Sequence, residues 1–214
     1  MNRAVFESPH TLDEIIKILE VLDNRTVFSD KTIHLQSDRL VKPLLDEFLP
    51  LRQFMRLCPD SRGRLSPHSN DGPDAIVTHP DGSETTIQIV VSHRSQSEAY
   101  GREMLAEGRV VFPARRRERV NGKIEETGRA LQAPASRVAA VVTQVQAAFQ
   151  KKVKRFQGGS KADVLLIYGQ MSLVDESWKL RVREHFDKAE SIPFARIVVC
   201  DQNGVHIDYT KCEP

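Results

Sequence analysis

Apolar residues recur along the chain with two different periods, and each period predicts a different kind of element. Where they recur at helical spacing, they form stripes that would bury one face of a helix. Thr11 and Glu14 match a capping box, which predicts that the first helix begins there. Pro50 is expected to kink the second helix or end it early. Helices are predicted over residues 11–22, 42–57, 136–156 and 175–188.

Shorter runs rich in Ile, Val and Thr predict strands. Residues 74–78 and 84–91 flank Asp81-Gly82, a dipeptide that favours tight turns, and this arrangement predicts a β-hairpin. Residues 58–72 are rich in Pro, Ser, Gly, Arg and Asn, which predicts a loop. Further along the chain, almost wholly apolar runs predict strands that are buried on both faces. Three more strands are predicted at residues 163–169, 196–200 and 205–209.

The order of these elements predicts the fold class. A hairpin followed by alternating helices and strands is typical of an α/β protein with a mixed central β-sheet flanked by helices. We expect one domain, residues 1–214, with the following parts: an N-terminal helical appendage (1–40), a core (41–170) that contains an excursion (110–134), and a C-terminal helix and strands that extend the sheet (171–214). Asn121-Gly122 predicts a small hairpin within the excursion.

Composition indicates the class of protein and the compartment to expect. Of the 214 residues, 40% are hydrophobic and 28% are charged, as in ordinary globular chains. The apolar runs are too short to span a bilayer, and residues 1–30 lack the pattern of a secretion signal. The cysteines Cys58, Cys200 and Cys212 form no CxxC pair, so neither a disulfide framework nor a zinc site is expected. We therefore expect a soluble cytoplasmic protein that has no membrane partner.

Basic residues are concentrated in two places, although the net charge is only +2. No acidic residue occurs between residues 127 and 162, and an arginine cluster lies just upstream at residues 115–119. Such segments form a surface for a polyanion, or else a solvated helix end and a solvated loop. The candidate nucleic-acid contacts are Arg115, Arg116, Arg117, Arg119, Lys151, Lys154 and Arg155.

Several common catalytic motifs are absent from the sequence. Residues 158–161 (Gly-Gly-Ser-Lys) lack the spacing of a Walker A loop, and the chain has no GxGxxG, HExxH or GxSxG pattern. None of the seven histidines pairs with another at the spacing of metal ligands. Nucleotide-binding P-loops, zinc proteases and α/β-hydrolase esterases are therefore not indicated.

The hairpin carries the one motif that points to a family. Pro73-Asp74 opens its first strand, and the following helix and buried strand come in the order of the PD-(D/E)XK superfamily, which residues 41–170 resemble. The resemblance implies a restriction-endonuclease-like core. Glu47 matches an acidic residue that is frequent on the preceding helix. Two positions depart from the pattern: Gln88 stands at the acidic position and Val90 at the lysine position.

The resemblance also implies roles for individual residues. Asp74 and Glu47 would hold Mg²⁺ or Mn²⁺, because hard cations prefer carboxylate oxygens. Gln88 would offer only a neutral oxygen. Lys152 or His93 would stand in for the missing lysine. Each has a second interpretation: Lys152 as a solvated lysine at a helix C-terminus, and His93 as a loop histidine.

Three functions stay open on the sequence alone. The first is a metal-dependent nuclease that hydrolyses phosphodiester bonds, with Mg²⁺ or Mn²⁺ as its cofactor. The second is a catalytically inactive protein of the same fold that needs no cofactor and serves as a nucleic-acid or protein binding module. The third is an unrelated α/β interaction protein. Assembly as a homodimer is open, since many nucleases of this fold work as dimers.

Overall fold

A computed structural model describes residues 4–23, 43–67, 72–92, 100, 103–104, 107–109, 115–129, 134–156, 162–169, 171 and 176–210. The helices are α1 (Ala4–Glu7), α2 (Leu12–Asp23), α3 (Leu49–Met55), α4 (Pro134–Phe156) and α5 (Ser177–Asp187). The strands are β1 (Arg62–Leu65), β2 (Ala75–Thr78), β3 (Glu84–Val91), β4 (Arg115–Val120), β5 (Lys123–Arg129), β6 (Val164–Tyr168), β7 (Arg196–Asp201) and β8 (Gly204–Thr210).

Six strands form one mixed sheet in the order β1-β2-β3-β6-β7-β8. The first three strands pair antiparallel, β3, β6 and β7 pair parallel, and β8 returns antiparallel to β7. β4 and β5 form a separate two-stranded sheet. The predicted class, an α/β protein with a mixed sheet between helices, is confirmed.

Helices cover both faces of this sheet, and alternate residues of its central strands pack against one layer or the other. On β6, Leu165 and Ile167 are buried in a cluster with the apolar stripes of α4 and α5. Leu166 between them is buried in a second cluster, which includes α3. In the described part of the segment predicted as an appendage, Phe6 and Ile15 are also buried in this second cluster.

The predicted hairpin is confirmed. β2 and β3 pair antiparallel with Ala75 opposite Ile87. The turn between them places Gly82 at φ +84°, a left-handed conformation that glycine adopts without steric cost. The Asp81 carboxylate accepts hydrogen bonds from the backbone N–H and the hydroxyl of Ser83. The hairpin within the excursion is also confirmed, with positive φ at Asn121 and Gly122.

Residues 58–72 were predicted as a loop, and this prediction is wrong for β1. The strand extends the sheet beyond the hairpin by pairing with β2. Its sequence, RGRL, contains no alternating apolar pattern that would indicate a strand. Gly63 allows α3 to lie close against β1, because a Cβ atom there would come within 2.9 Å of the Met55 sulfur. The strand therefore depends on contacts that its own residues do not reveal.

The second predicted helix forms, with one irregularity. A π-helical turn at Leu44–Phe48 leads directly into α3, and the N–H of Leu49 donates to the carbonyl of Leu44. Pro50 does not end the helix, because it lies in the first turn of α3, where its missing N–H costs little. The helix ends at Met55 instead.

Candidate functional site

Three elements bring polar side chains together at one side of the central sheet. Asp74 directly precedes β2, Gln88 lies within β3, and Lys152 lies in the last turns of α4. Asp74 and Lys152 are 78 residues apart in the sequence. Because alternate residues of a strand face the same side, Thr86, Gln88 and Val90 share one face of β3. Gln88 bonds Lys152 of α4 from that face.

Lys152 is buried and makes two hydrogen bonds across this space. Its Nζ donates to Oε1 of Gln88 at 2.9 Å and to Oδ2 of Asp74 at 3.2 Å. The residue is only 8% exposed, so the interpretation of Lys152 as a solvated helix-end lysine is wrong. The physical reason is the buried stripe of α4, including Val145 and Phe149, which turns this edge of the helix toward the sheet.

Burial changes the pKa of the Lys152 ammonium group. Loss of solvent lowers the pKa of its ammonium group below the ordinary lysine value, and the neighbouring Asp74 carboxylate opposes this shift. Lys151 and Arg155 on the same helix add to the lowering. The Lys152 amine therefore lies in a place of low dielectric, between one carboxylate and one amide oxygen.

Backbone groups fix the two partners of Lys152. Oδ2 of Asp74 also accepts a hydrogen bond of 2.7 Å from the N–H of Ile89. Nε2 of Gln88 donates to the carbonyl of Gly72 at 2.8 Å, and this bond turns Oε1 toward the ammonium. Both polar atoms of the Gln88 amide are thus used: the nitrogen donates to Gly72 and the oxygen accepts from Lys152. A carboxylate at position 88 would place an oxygen against the Gly72 carbonyl.

A cleft of about 300 Å³ opens beside these residues. Acidic residues on its wall come from the π-helical turn and from the position before β2, and basic residues come from α4. Its lining residues are Asp46, Glu47, Asp74, Ile89, Val90, Val91, Lys151, Lys152 and Arg155. The cleft thus brings together Asp74, Glu47 and Lys152 from the sequence prediction, while Gln88 contacts Lys152. His93 lies outside the described residues.

Sequence reasoning missed Asp46 as a lining residue. Its only signal was its position next to Glu47, because no strand or helix pattern distinguishes the two neighbours. Both occur in the π-helical turn that precedes α3. A π-helical turn changes which side chains share a face, and the sequence did not predict this turn.

Two arginines of the cluster on β4, predicted as nucleic-acid contacts, lie beside carboxylates of the same chain. Arg117 is only 8% exposed, and its Nε lies 3.4 Å from Oε1 of Glu126 on β5. Arg119 bonds both carboxylate oxygens of Glu103, at 2.7 and 2.8 Å. These guanidinium groups are therefore engaged within the protein. The side chains of Arg115 and Arg116 lie outside the described part of the chain.

The three residues of α4 that were predicted as nucleic-acid contacts do not all lie at the cleft. Lys151 and Arg155 line the cleft, and Lys154 is exposed on the same helix but does not line it. The predicted basic surface on this helix therefore includes two residues beside the carboxylates and one away from them.

The oxygen atoms at the cleft are of the kind that hard divalent cations bind. The Asp74 side chain is 30% exposed, and its Oδ1 makes no hydrogen bond to any described residue. Asp46 and Glu47 line the same space. No group of three or more His, Cys, Asp or Glu in the described ranges is placed to hold a metal ion. A cation here would therefore depend on few carboxylates, with Asp74 the central one.

Comparison of the chain with family models, with curated proteins and with solved structures finds no match. No helix among the described residues is both long and apolar enough to cross a membrane.

Proposed function

We propose that this chain is a metal-dependent nuclease with a restriction-endonuclease-like core. Its lysine comes from α4 rather than from the second strand of the hairpin. The observation that carries this proposal is the meeting of Asp74, Gln88 and Lys152 beside the cleft. The order of hairpin, helix and parallel strand around them supports it.

The position of Val90 explains how a helix lysine can replace a strand lysine. Val90 lines the same cleft as Lys152, so the apolar side chain and the ammonium lie next to one space. Lys152 therefore supplies the positive charge that a lysine at position 90 would supply and that Val90 lacks. A lysine of either origin would present an ammonium group to a phosphate at this place.

Asp74 and Glu47 would hold the metal ion, and Gln88 would add a neutral oxygen. When bound there, Mg²⁺ or Mn²⁺ would stabilise negative charge on a phosphate and lower the pKa of a water molecule. The chain itself contributes the fixed position of Asp74, which the Ile89 N–H holds. Lys152 contributes a largely buried ammonium group at the edge of the cleft.

The basic wall of α4 supports a nucleic acid as the substrate. Lys151 and Arg155 are four residues apart, so they are neighbours on one face of the helix. Both line the same cleft as Asp74 and Glu47, which would hold the metal. A phosphate chain entering the cleft would meet these cations beside the site of hydrolysis.

One observation favours a second function, that of a catalytically inactive binding module. The Lys152 ammonium already occupies Oδ2 of Asp74 and Oε1 of Gln88. Gln88 is also neutral, so it adds no charge for a metal. The basic wall of α4 would keep its affinity for phosphates in such a protein.

Calorimetric titration with Mn²⁺ tests the metal site without knowledge of the substrate. The wild type should bind Mn²⁺, and Asp74→Asn should abolish binding because it removes the central carboxylate. Gln88→Glu loses the hydrogen bond to the Gly72 carbonyl but adds a charge for the ion, and we expect the charge to prevail and binding to be tighter. Asp60→Asn is the matched control, since Asp60 is exposed in the loop between α3 and β1.

The pattern of results separates the two functions. Binding by Gln88→Glu but not by the wild type would indicate a nuclease scaffold that has lost its metal, which is the second function. Absence of binding in every variant would contradict the assignment of Asp74 and Glu47 as metal ligands.

A further inference from the structure

The two oxygens that Lys152 contacts are ones that a metal ion would also need. An ammonium group has three donors and no acceptor, so every bond that it makes occupies an acceptor. Lys152 uses Oδ2 of Asp74, the residue before β2, and Oε1 of Gln88 in β3. The position between these two oxygens is therefore already occupied by the ammonium group of Lys152.

Gln88 is arranged to serve this ammonium. Its Nε2 bond to the Gly72 carbonyl fixes the amide, so only Oε1 can face Lys152. The residue is 2% exposed, and this leaves it no alternative partner in water. Position 88 thus provides a neutral acceptor that holds a single positive charge in place together with Asp74.

We propose that Lys152 is a tethered cation that competes with a divalent metal ion for Asp74 and Gln88. Entry of the metal therefore releases the lysine ammonium into the cleft. This inference rests on the proposed function, because it assumes that a metal ion binds at Asp74. A divalent ion and an ammonium group on the same oxygens would repel each other strongly in a partly buried place.

The surroundings of Lys152 allow such a release. Its four-carbon side chain starts from the last turns of α4, and the cleft of about 300 Å³ lies directly beside it. Asp74 is 30% exposed, so an ion can reach it from the cleft. The displaced ammonium would then lie among Lys151, Arg155 and Val90, where a phosphate would enter. Metal binding and exposure of the lysine would be coupled.

Mn²⁺ titration of Lys152→Met tests the competition. Methionine keeps the length of an apolar stem but removes the charge, so both oxygens become available to the ion. We expect Lys152→Met to bind Mn²⁺ about tenfold more tightly than the wild type, because one repulsive charge is removed. Lys154→Met, the same change at an exposed position of α4 that does not line the cleft, should alter the affinity by less than about twofold.

A second measurement uses the unaltered chain, so it does not depend on the folding of a variant. An amine-reactive label, quantified by mass spectrometry, reports how accessible each lysine is. Saturating Mn²⁺ should raise the labelling of Lys152 several-fold, while Lys154, which does not line the cleft, should be unchanged.

The outcomes distinguish failure of the competition from failure of the metal site. Equal or weaker Mn²⁺ binding by Lys152→Met, with Lys152 still protected in the saturated wild type, would overturn the competition and leave the metal site intact. If Lys152→Met binds Mn²⁺ and the wild type does not, the competition is supported, because the lysine then excludes the ion completely. No binding by any variant would overturn both.

Discussion

Single residues of the site were predictable to different degrees. Asp74 and Gln88 follow from the hairpin, because a strand's alternation decides which side chains share a face. Lys152 stayed open, because its direction depends on how α4 docks on a sheet whose strands lie far away in the sequence. The burial of Arg117 had a signal that was not used: a turn at residues 121–122 places it opposite Glu126.

Tyr168, at the end of β6, gives a prediction on alkaline stability. Burial raises the pKa of its phenol from 10.0 to about 12, with smaller contributions from Cys200 and Asp201. The folded state therefore holds this proton more tightly than the unfolded state. The resulting stability is complete below pH 10 and is lost as the pH rises toward 12.

Urea unfolding of the wild type and Tyr168→Phe tests this prediction. Between pH 9 and pH 11.5, the wild type should lose about 2 kcal/mol of unfolding free energy relative to the variant, which has no phenol to ionise. Two proteins whose stabilities fall in parallel over this range would show that the phenol does not contribute.

At the scale of elements, the best predictions were those that local signals determine. The turn chemistry of Asp81-Gly82 fixed the hairpin, and the long apolar stripe fixed α4. β1 could not be predicted, because the four residues of this strand are held by pairing with β2 and by contact with α3. The π-helical turn before α3 had no recognised sequence signal either.

The turn of the β2–β3 hairpin provides a test of local strain. Gly82→Ala should destabilise the protein by about 1 kcal/mol, because alanine is strained at positive φ. No atom lies within 4 Å of the added Cβ, so the loss should be conformational and not steric. Gly82→Asn should lose less, since asparagine tolerates this region better. Equal losses for the two variants in urea unfolding would argue against this cause.

The basic wall of α4 predicts how nucleic-acid binding depends on salt. Each phosphate contact releases counterions, so Lys151→Gln and Arg155→Gln should each reduce the slope of log affinity against log salt by about 1. Lys154→Gln, on the same helix but outside the cleft, should change the slope less. The measurement is fluorescence anisotropy of a labelled oligonucleotide without divalent metal. An unchanged slope in the variant that carries both Lys151→Gln and Arg155→Gln would show that the basic wall of α4 does not contact phosphate.

At the scale of the whole molecule, the sheet brings distant segments together. The parallel strands β3, β6 and β7 are covered by helices on both faces, and α4 packs on the face where Val90 of β3 lies against its cluster. The sequence predicted this class of fold from the order of its elements. It did not predict which helices cover which face, because that choice depends on the combined burial of many side chains. Assembly as a homodimer stays a prediction.

We propose that the cleft beside Asp74 and Lys152 hydrolyses phosphodiester bonds with a metal ion. Incubation of the purified chain with DNA and with RNA, in Mg²⁺ or Mn²⁺ and in EDTA, tests it most directly. We predict cleavage of at least one substrate by the wild type and by Asp60→Asn only when metal is present, and none by Asp74→Asn. Cleavage by Asp74→Asn at the wild-type rate, or no cleavage of either substrate with either metal, would contradict the claim.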